Sequence, residues 1–135
     1  MNPSDNKAIL KTVFDALAEG NSRPFVDSMA EEFRWTMAGE SQWSRTYDGK
    51  AAVMDQLFPL LRARIEGRTR TIAQRFIADG DLVVVEARGA NMAKDGRPYR
   101  NHYCFVFRLA GGKLVELTEY MDTEMAITVL GAPPA

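Results

Sequence analysis

Cysteine and histidine are nearly missing from this chain: Cys104 and His102 are single occurrences among 135 residues. One cysteine cannot close an internal disulfide, and one cysteine with one histidine is too few soft ligands for a structural zinc site. An excess of one charge is also lacking, since 17 lysines and arginines face 18 aspartates and glutamates for a formal net charge of -1. That balance removes the electrostatic case for nucleic acid or an anionic membrane surface. No apolar run reaches the length of about 18 residues that crosses a bilayer. The opening MNPSDNKAIL lacks the basic end and longer apolar stretch of a signal peptide. These absences predict a cytoplasmic protein with no metal, no membrane segment and no nucleic-acid partner. Carboxylates, arginines, tyrosines and amides are left to carry any chemistry.

What is present describes one globular domain over residues 1–135, 46% hydrophobic and 26% charged, without repeat, low-complexity block or linker. Ile9, Leu10, Val13, Phe14 and Leu17 form the apolar stripe of an amphipathic helix, capped by Ser4 or Asp5 and ended by Gly20. Pro24 opens a second short helix with Phe25, Val26 and Met29 inward. Phe33, Trp35 and Met37 then alternate with polar residues as a strand. A polar loop carries Trp43 and Tyr47, large aromatics that fold back over something apolar: a pocket mouth or a hydrophobic anchor. A third helix follows over 50–65, with Pro59 forcing a kink or break near Leu57.

The remainder alternates with period two. Strands are expected over 69–78 and 82–93, then over 98–109 and 114–121, with turns at Asp79-Gly80-Asp81, Asp95-Gly96 and Gly111-Gly112. Residues 124–130 suit a helical turn and 131–135 a loose tail. Parity places Tyr99, Asn101, Tyr103, Phe105 and Phe107 on one face and His102, Cys104 and Val106 on the other. A hairpin centred on Asp95-Gly96 sets Arg88 opposite Tyr103 and Glu86 opposite Phe105. On that register Glu86, Arg88 and Glu119 enter a mostly apolar hollow, where burial obliges the carboxyls to pair with Arg88, bond to Asn101 and Tyr103, or hold a proton. A carboxyl kept protonated in this way is a usable general acid, and the competing reading is a structural ion-pair network or a solvent-facing sheet edge. Trp35 reads as a pocket wall or as core filler, and Asp122 as a cap for the last turn.

The order of elements resembles the nuclear transport factor 2-like superfamily, in particular its SnoaL-like and ketosteroid isomerase-related branch. The resemblance rests on Phe33-Arg34-Trp35, Tyr47-Asp48-Gly49-Lys50, Asn101 and Tyr103 with Phe107-Arg108, Gly112-Lys113, and Glu119-Tyr120-Met121-Asp122-Thr123. It implies an α+β, cone-shaped fold in which three N-terminal helices pack on a strongly curved, mainly antiparallel sheet. It further implies an apolar cavity and a homodimer through the outer sheet face. The ketosteroid isomerase roles do not transfer, because the base position falls near Met37 and the protonated-acid position near Phe105. Limonene epoxide hydrolase is similar over the last hairpin: Glu119 matches one acid and Glu86 could match the other. The family's arginine position falls near Val84, so that Arg88 would supply the cation.

The expectation is a cofactor-independent enzyme of the SnoaL-like type (isomerase, cyclase or epoxide-hydrolase-like) acting on a small apolar, oxygenated molecule. Glu119, Glu86 and Arg88 are its catalytic candidates; Trp35, Met37, Trp43, Tyr47, Asn101, Tyr103 and Phe105 are its ligand-binding candidates. The alternative is a non-catalytic dimer of the same fold that holds a hydrophobic ligand.

Overall fold

The computed structural model describes residues 2–135. Helix α1 spans Pro3–Leu17, capped by Asn2 rather than by Ser4 or Asp5. The Asn2 side chain accepts from the Asp5 N–H while the Asp5 carboxylate accepts from the Asn2 N–H, and Pro3 fills the first turn, where its missing N–H costs nothing. Gly20, at φ 80, reverses the chain into α2 (Arg23–Ser28), which runs directly into β1 (Met29–Met37). Strand β2 (Thr46–Asp48) pairs with β1.

The expected three N-terminal helices resolve into two helices before the first strand and a broken helical stretch after β2. That stretch comprises α3 (Lys50–Ala52), a π turn (Val53–Leu57) and α4 (Phe58–Arg62). Pro59 offers no N–H and its ring crowds the carbonyl four residues earlier. The helix widens just before it, and the Phe58 N–H reaches the Val53 carbonyl.

Strands β3 (Thr71–Asp79), β4 (Leu82–Gly89), β7 (His102–Ala110) and β8 (Lys113–Met121) complete a six-stranded sheet in the order β2-β1-β8-β7-β4-β3. Its neighbours are antiparallel except β1 and β8, which run parallel, so the sheet is mixed. Between β4 and β7 stands a small separate hairpin, β5 (Asn91–Met92) with β6 (Pro98–Tyr99).

The expected single strand over 98–109 is interrupted at Arg100 and Asn101 because the Asn101 side chain takes over the hydrogen bonds. Its Oδ1 accepts from the backbone of His102 and Asp122, and its Nδ2 donates to the Asp122 carbonyl and the Tyr99 hydroxyl. The chain closes with α5 (Thr123–Met125), capped by Asp122, and a π turn (Ala126–Leu130). The final residues are not loose: Arg97, Arg64 and Arg45 donate to the carbonyls of Thr128, Val129, Ala132 and Pro134.

The core lies between α1, α2 and the inner sheet face. Phe14 of α1 meets Phe76 of β3 and Phe105 and Phe107 of β7 with ring centroids 5.7–6.0 Å apart. Burying each such ring contributes about 1.5–3 kcal/mol.

Candidate acid-base site and cavity

Period two along β8 alternates Leu117 and Glu119 inward with Tyr120 outward, so a carboxylic acid is carried into the core by the same rule that buries its neighbours. Glu119 is 4% exposed. It stands opposite Phe105 of β7 and Met37 of β1, and its Oε1 accepts a 3.1 Å hydrogen bond from the Trp35 indole Nε1. Burial disfavours the carboxylate and raises its pKa from 4.5 to about 7, opposed only in part by the Trp35 hydrogen bond. Near neutrality Glu119 therefore divides between a proton-donating and a proton-accepting form.

Tyrosines surround this acid. Burial pushes the Tyr103 phenol well above its ordinary value, reinforced by Tyr99 and Glu119, and Tyr99 is raised chiefly by burial as well. Both therefore stay protonated across the working range of Glu119. The half-buried Tyr103 ring stacks on Phe105 at 5.0 Å. Tyr47, cross-strand from Trp35, is also 4% exposed, and its hydroxyl has no hydrogen-bond partner among the described residues. Burial raises its pKa against the lowering effect of Arg45, and the charge of Glu119 also bears on it.

Glu86 and Arg88 do not join this group. The loop after β5 holds three residues, Lys94-Asp95-Gly96: the Ala93 N–H donates to the Arg97 carbonyl, and Gly96 takes φ 90. A two-residue turn would have paired residue 94 with 97. The extra residue shifts the register by one and sends every side chain of β4 to the other face. Glu86 accordingly stands opposite Cys104 and Arg88 opposite His102, while Val85 and Ala87 face Phe105 and Tyr103. On the outer face Glu86 pairs with Arg75 at the surface, and Arg88 is exposed.

Two ligand-binding candidates are committed elsewhere, and a third keeps its place beside the acid. Asn101 is fully buried, and both its donors and both its acceptor positions are occupied. It orients Tyr99 and has nothing left for a substrate. Trp43 is an anchor, its Nε1 donating to the Gly131 carbonyl at 2.8 Å with the Arg64 guanidinium 5.7 Å from its ring centre. Met37 packs beside Glu119 across the β1–β8 pairing.

A cavity of about 610 Å³ opens on the helical side of the sheet. Trp35, Phe105, Phe107 and Leu117 form its floor, Phe14, Phe25 and Phe58 its walls, and the loops around Gly20–Arg23 and Gly67–Thr69, with Arg62, its mouth. Trp35 and Phe105 belong both to this floor and to the surroundings of Glu119. Glu119 shares their sheet face, two residues beyond Leu117 on β8, and is not among the residues that line the cavity. The helix-borne walls were legible only as core positions, and the arginine mouth, built from three separate segments, carried no sequence signal. Among the described residues no group of histidine, cysteine, aspartate and glutamate side chains is arranged to hold a metal, and no helix is long and apolar enough to cross a membrane.

Residues 10–117 match the family profile of the SnoaL-like domain. No curated protein matches the chain. Among solved structures, a nuclear transport factor 2-like protein of unknown function from Burkholderia pseudomallei superposes with a TM-score of 0.80 at 21% identity, over 95% of this chain and 98% of its own. A protein from Jannaschia sp. provisionally named a SnoaL-like polyketide cyclase gives 0.77 at 19% identity, over 98% and 95%. A Bacillus subtilis protein provisionally named an isomerase gives 0.73 at 18%, over 98% and 97%. These likenesses establish the fold as nuclear transport factor 2-like, α+β with a curved mixed sheet.

Proposed function

The chain belongs to the SnoaL-like domain family, and from that premise we propose that it is a cofactor-independent enzyme that moves a proton on a small apolar, oxygenated substrate held in the cavity. The observation that carries this reading is Glu119, a buried carboxyl raised to about 7 that bonds to Trp35 and stands cross-strand from Phe105, two residues of the cavity floor. A catalytic acid or base works best with its pKa near the operating pH, and a placed group of this kind contributes about 10²–10⁴-fold. Trp35 fixes the carboxyl through its indole N–H, and the tyrosine hydroxyls near the acid are neutral donors able to hold a developing oxyanion. The names given to the Jannaschia and Bacillus proteins, a cyclase and an isomerase, describe reactions of this class.

The test compares the wild type with Glu119→Gln on two substrates. One is 2-tetralone in D2O, followed by NMR for deuterium uptake next to the carbonyl; the other is limonene oxide in ¹⁸O-labelled water, followed for diol. The proposal expects exchange or ring opening by the wild type, with an inflection near pH 7, and loss of at least about 100-fold in the variant. Equal rates for the two proteins would remove Glu119 from the chemistry.

One observation favours the non-catalytic alternative: Glu119 is not among the residues that line the open cavity. A protein that only binds would be stabilised by an apolar ligand without turning over either substrate. The homodimer is likewise a proposal. Its support is the outer sheet face, where Ile72, Ile77 and Tyr120 are exposed beside half-buried Val84 and Val106. Sedimentation at twice the chain mass is the expected result.

A further inference from the structure

The cavity is apolar inside but charged at its entrance. Arg23, Arg62 and Arg68 all line it, with Asp27 as the acidic residue of the lining. Asp27 stands 3.9 Å from Arg23, which leaves that pair close to neutral. Arg62 and Arg68 are exposed and make no ion pair or side-chain hydrogen bond among the described residues. Of the other arginines, Arg45, Arg64 and Arg97 bond to the carbonyls of the C-terminal residues and Arg34, Arg75 and Arg108 pair with carboxylates, while Arg70, Arg88 and Arg100 are exposed without an ion pair among the described residues but do not line the cavity.

The position of Arg68 is also built in. Gly20 faces it at φ 80, and a Cβ on Gly20 would come within 3.0 Å of the Arg68 Cβ. A side chain there would push Arg68 away from the opening. Since the whole chain carries a formal charge of -1, a cationic entrance does not follow from overall composition.

We propose that the cavity takes an amphipathic ligand, an aromatic or alicyclic body seated among Phe14, Phe25, Phe58 and Phe105 with a single anionic group held at the mouth by Arg62 and Arg68. The volume of about 610 Å³ suits one drug-sized molecule, since such sites commonly measure about 300–1,000 Å³. Guanidinium groups pair with planar carboxylates, sulfonates or phosphates through parallel N–H donors, and at an exposed rim their contribution falls with added salt. The floor of Trp35, Phe105, Phe107 and Leu117 carries no charge to oppose such a ligand, and Glu119 does not line it. This inference rests on the cavity being the substrate site and adds the charge of the molecule it admits.

The experiment titrates the protein with two fluorescent probes that differ by one sulfonate, 8-anilinonaphthalene-1-sulfonate and the uncharged N-phenyl-1-naphthylamine. The sulfonate probe is expected to bind about five- to tenfold more tightly, about 1.4 kcal/mol at the upper end. Each probe is expected to displace the other. The double variant Arg62→Gln/Arg68→Gln should remove the preference while leaving the neutral probe's affinity within twofold, and 0.5 M salt should do the same to the wild type. Arg62→Glu/Arg68→Glu should reverse it. Equal affinities in the wild type, an unchanged preference in both double variants, or failure of the probes to compete overturns the anionic site. If the neutral probe binds in any of those cases, the apolar cavity of the proposed function survives. Binding of neither probe overturns both readings.

Discussion

Replacing Glu119 by glutamine converts the charge argument into a measurement of stability. The carboxyl moves from 4.5 to about 7 on folding, and at about 1.4 kcal/mol per pH unit the displacement amounts to about 3 kcal/mol. The sign follows from proton counting. Below about pH 4.5 the group is protonated in both states and costs nothing. From there to about pH 7 the unfolded chain has released the proton while the folded one keeps it, so stability falls as pH rises. Above about pH 7 both are ionised and the penalty is complete. Glutamine keeps an oxygen for the Trp35 N–H and never ionises, and every other titrating group is common to the two proteins. The gap in unfolding free energy, variant minus wild type, should therefore be flat at acidic pH, widen through the window between 4.5 and 7, and level off about 3 kcal/mol higher. Urea melts followed by circular dichroism at half-unit steps from pH 4 to 9 read this directly. Any constant offset from the amide N–H groups cancels in the slope. A gap that stays level across the range, or narrows with rising pH, would refute the claim that burial holds Glu119 neutral.

Three other outcomes follow from the same geometry. Trp35→Phe removes the hydrogen bond that lowers the Glu119 pKa, so the widening of the gap, measured against Trp35→Phe/Glu119→Gln, should extend above pH 7; an inflection that moves downward would contradict the assigned donor. Phe107→Ala, at a position 1% exposed and ringed by Phe14, Phe25 and Phe105, should cost about 3–5 kcal/mol in a urea melt, and a loss below about 1 kcal/mol would mean that the core collapses around it. Glu86→Gln, on the outer face with Arg75, should leave both turnover and the urea midpoint unchanged; a loss of turnover like that of Glu119→Gln would return Glu86 to the site.

Period-two alternation was strong enough to read which residues of β7 and β8 turn inward, Tyr103, Phe105 and Glu119 among them, though not the break at Arg100 and Asn101. It could not fix how β4 meets β7. An Asp-Gly pair closes either a two-residue turn or, with Lys94, a three-residue loop, and both place the glycine at positive φ. The choice of one residue decided whether Glu86 or Val85 faced the core. Asn101 was read as a ligand contact because a polar residue on an apolar strand face suggests one; its four hydrogen bonds bridge β6 to the start of α5, a long-range pairing that local pattern does not reveal. The arginine entrance depends on three segments, near residues 23, 62 and 68, meeting in space.

The parallel pairing of β1 with β8 has a consequence for synthesis. Trp35 and Glu119, 84 positions apart, meet only through that contact, so a nascent chain can pair one edge of β1 with β2 but leaves the other edge open until the last strand leaves the ribosome. Closing so large a loop is slow, and β1 is meanwhile a sticky edge. Chains stalled or truncated before β8 should thus be recruits for chaperones and proteases, and the acid can acquire its altered proton affinity only in the closing moment of folding.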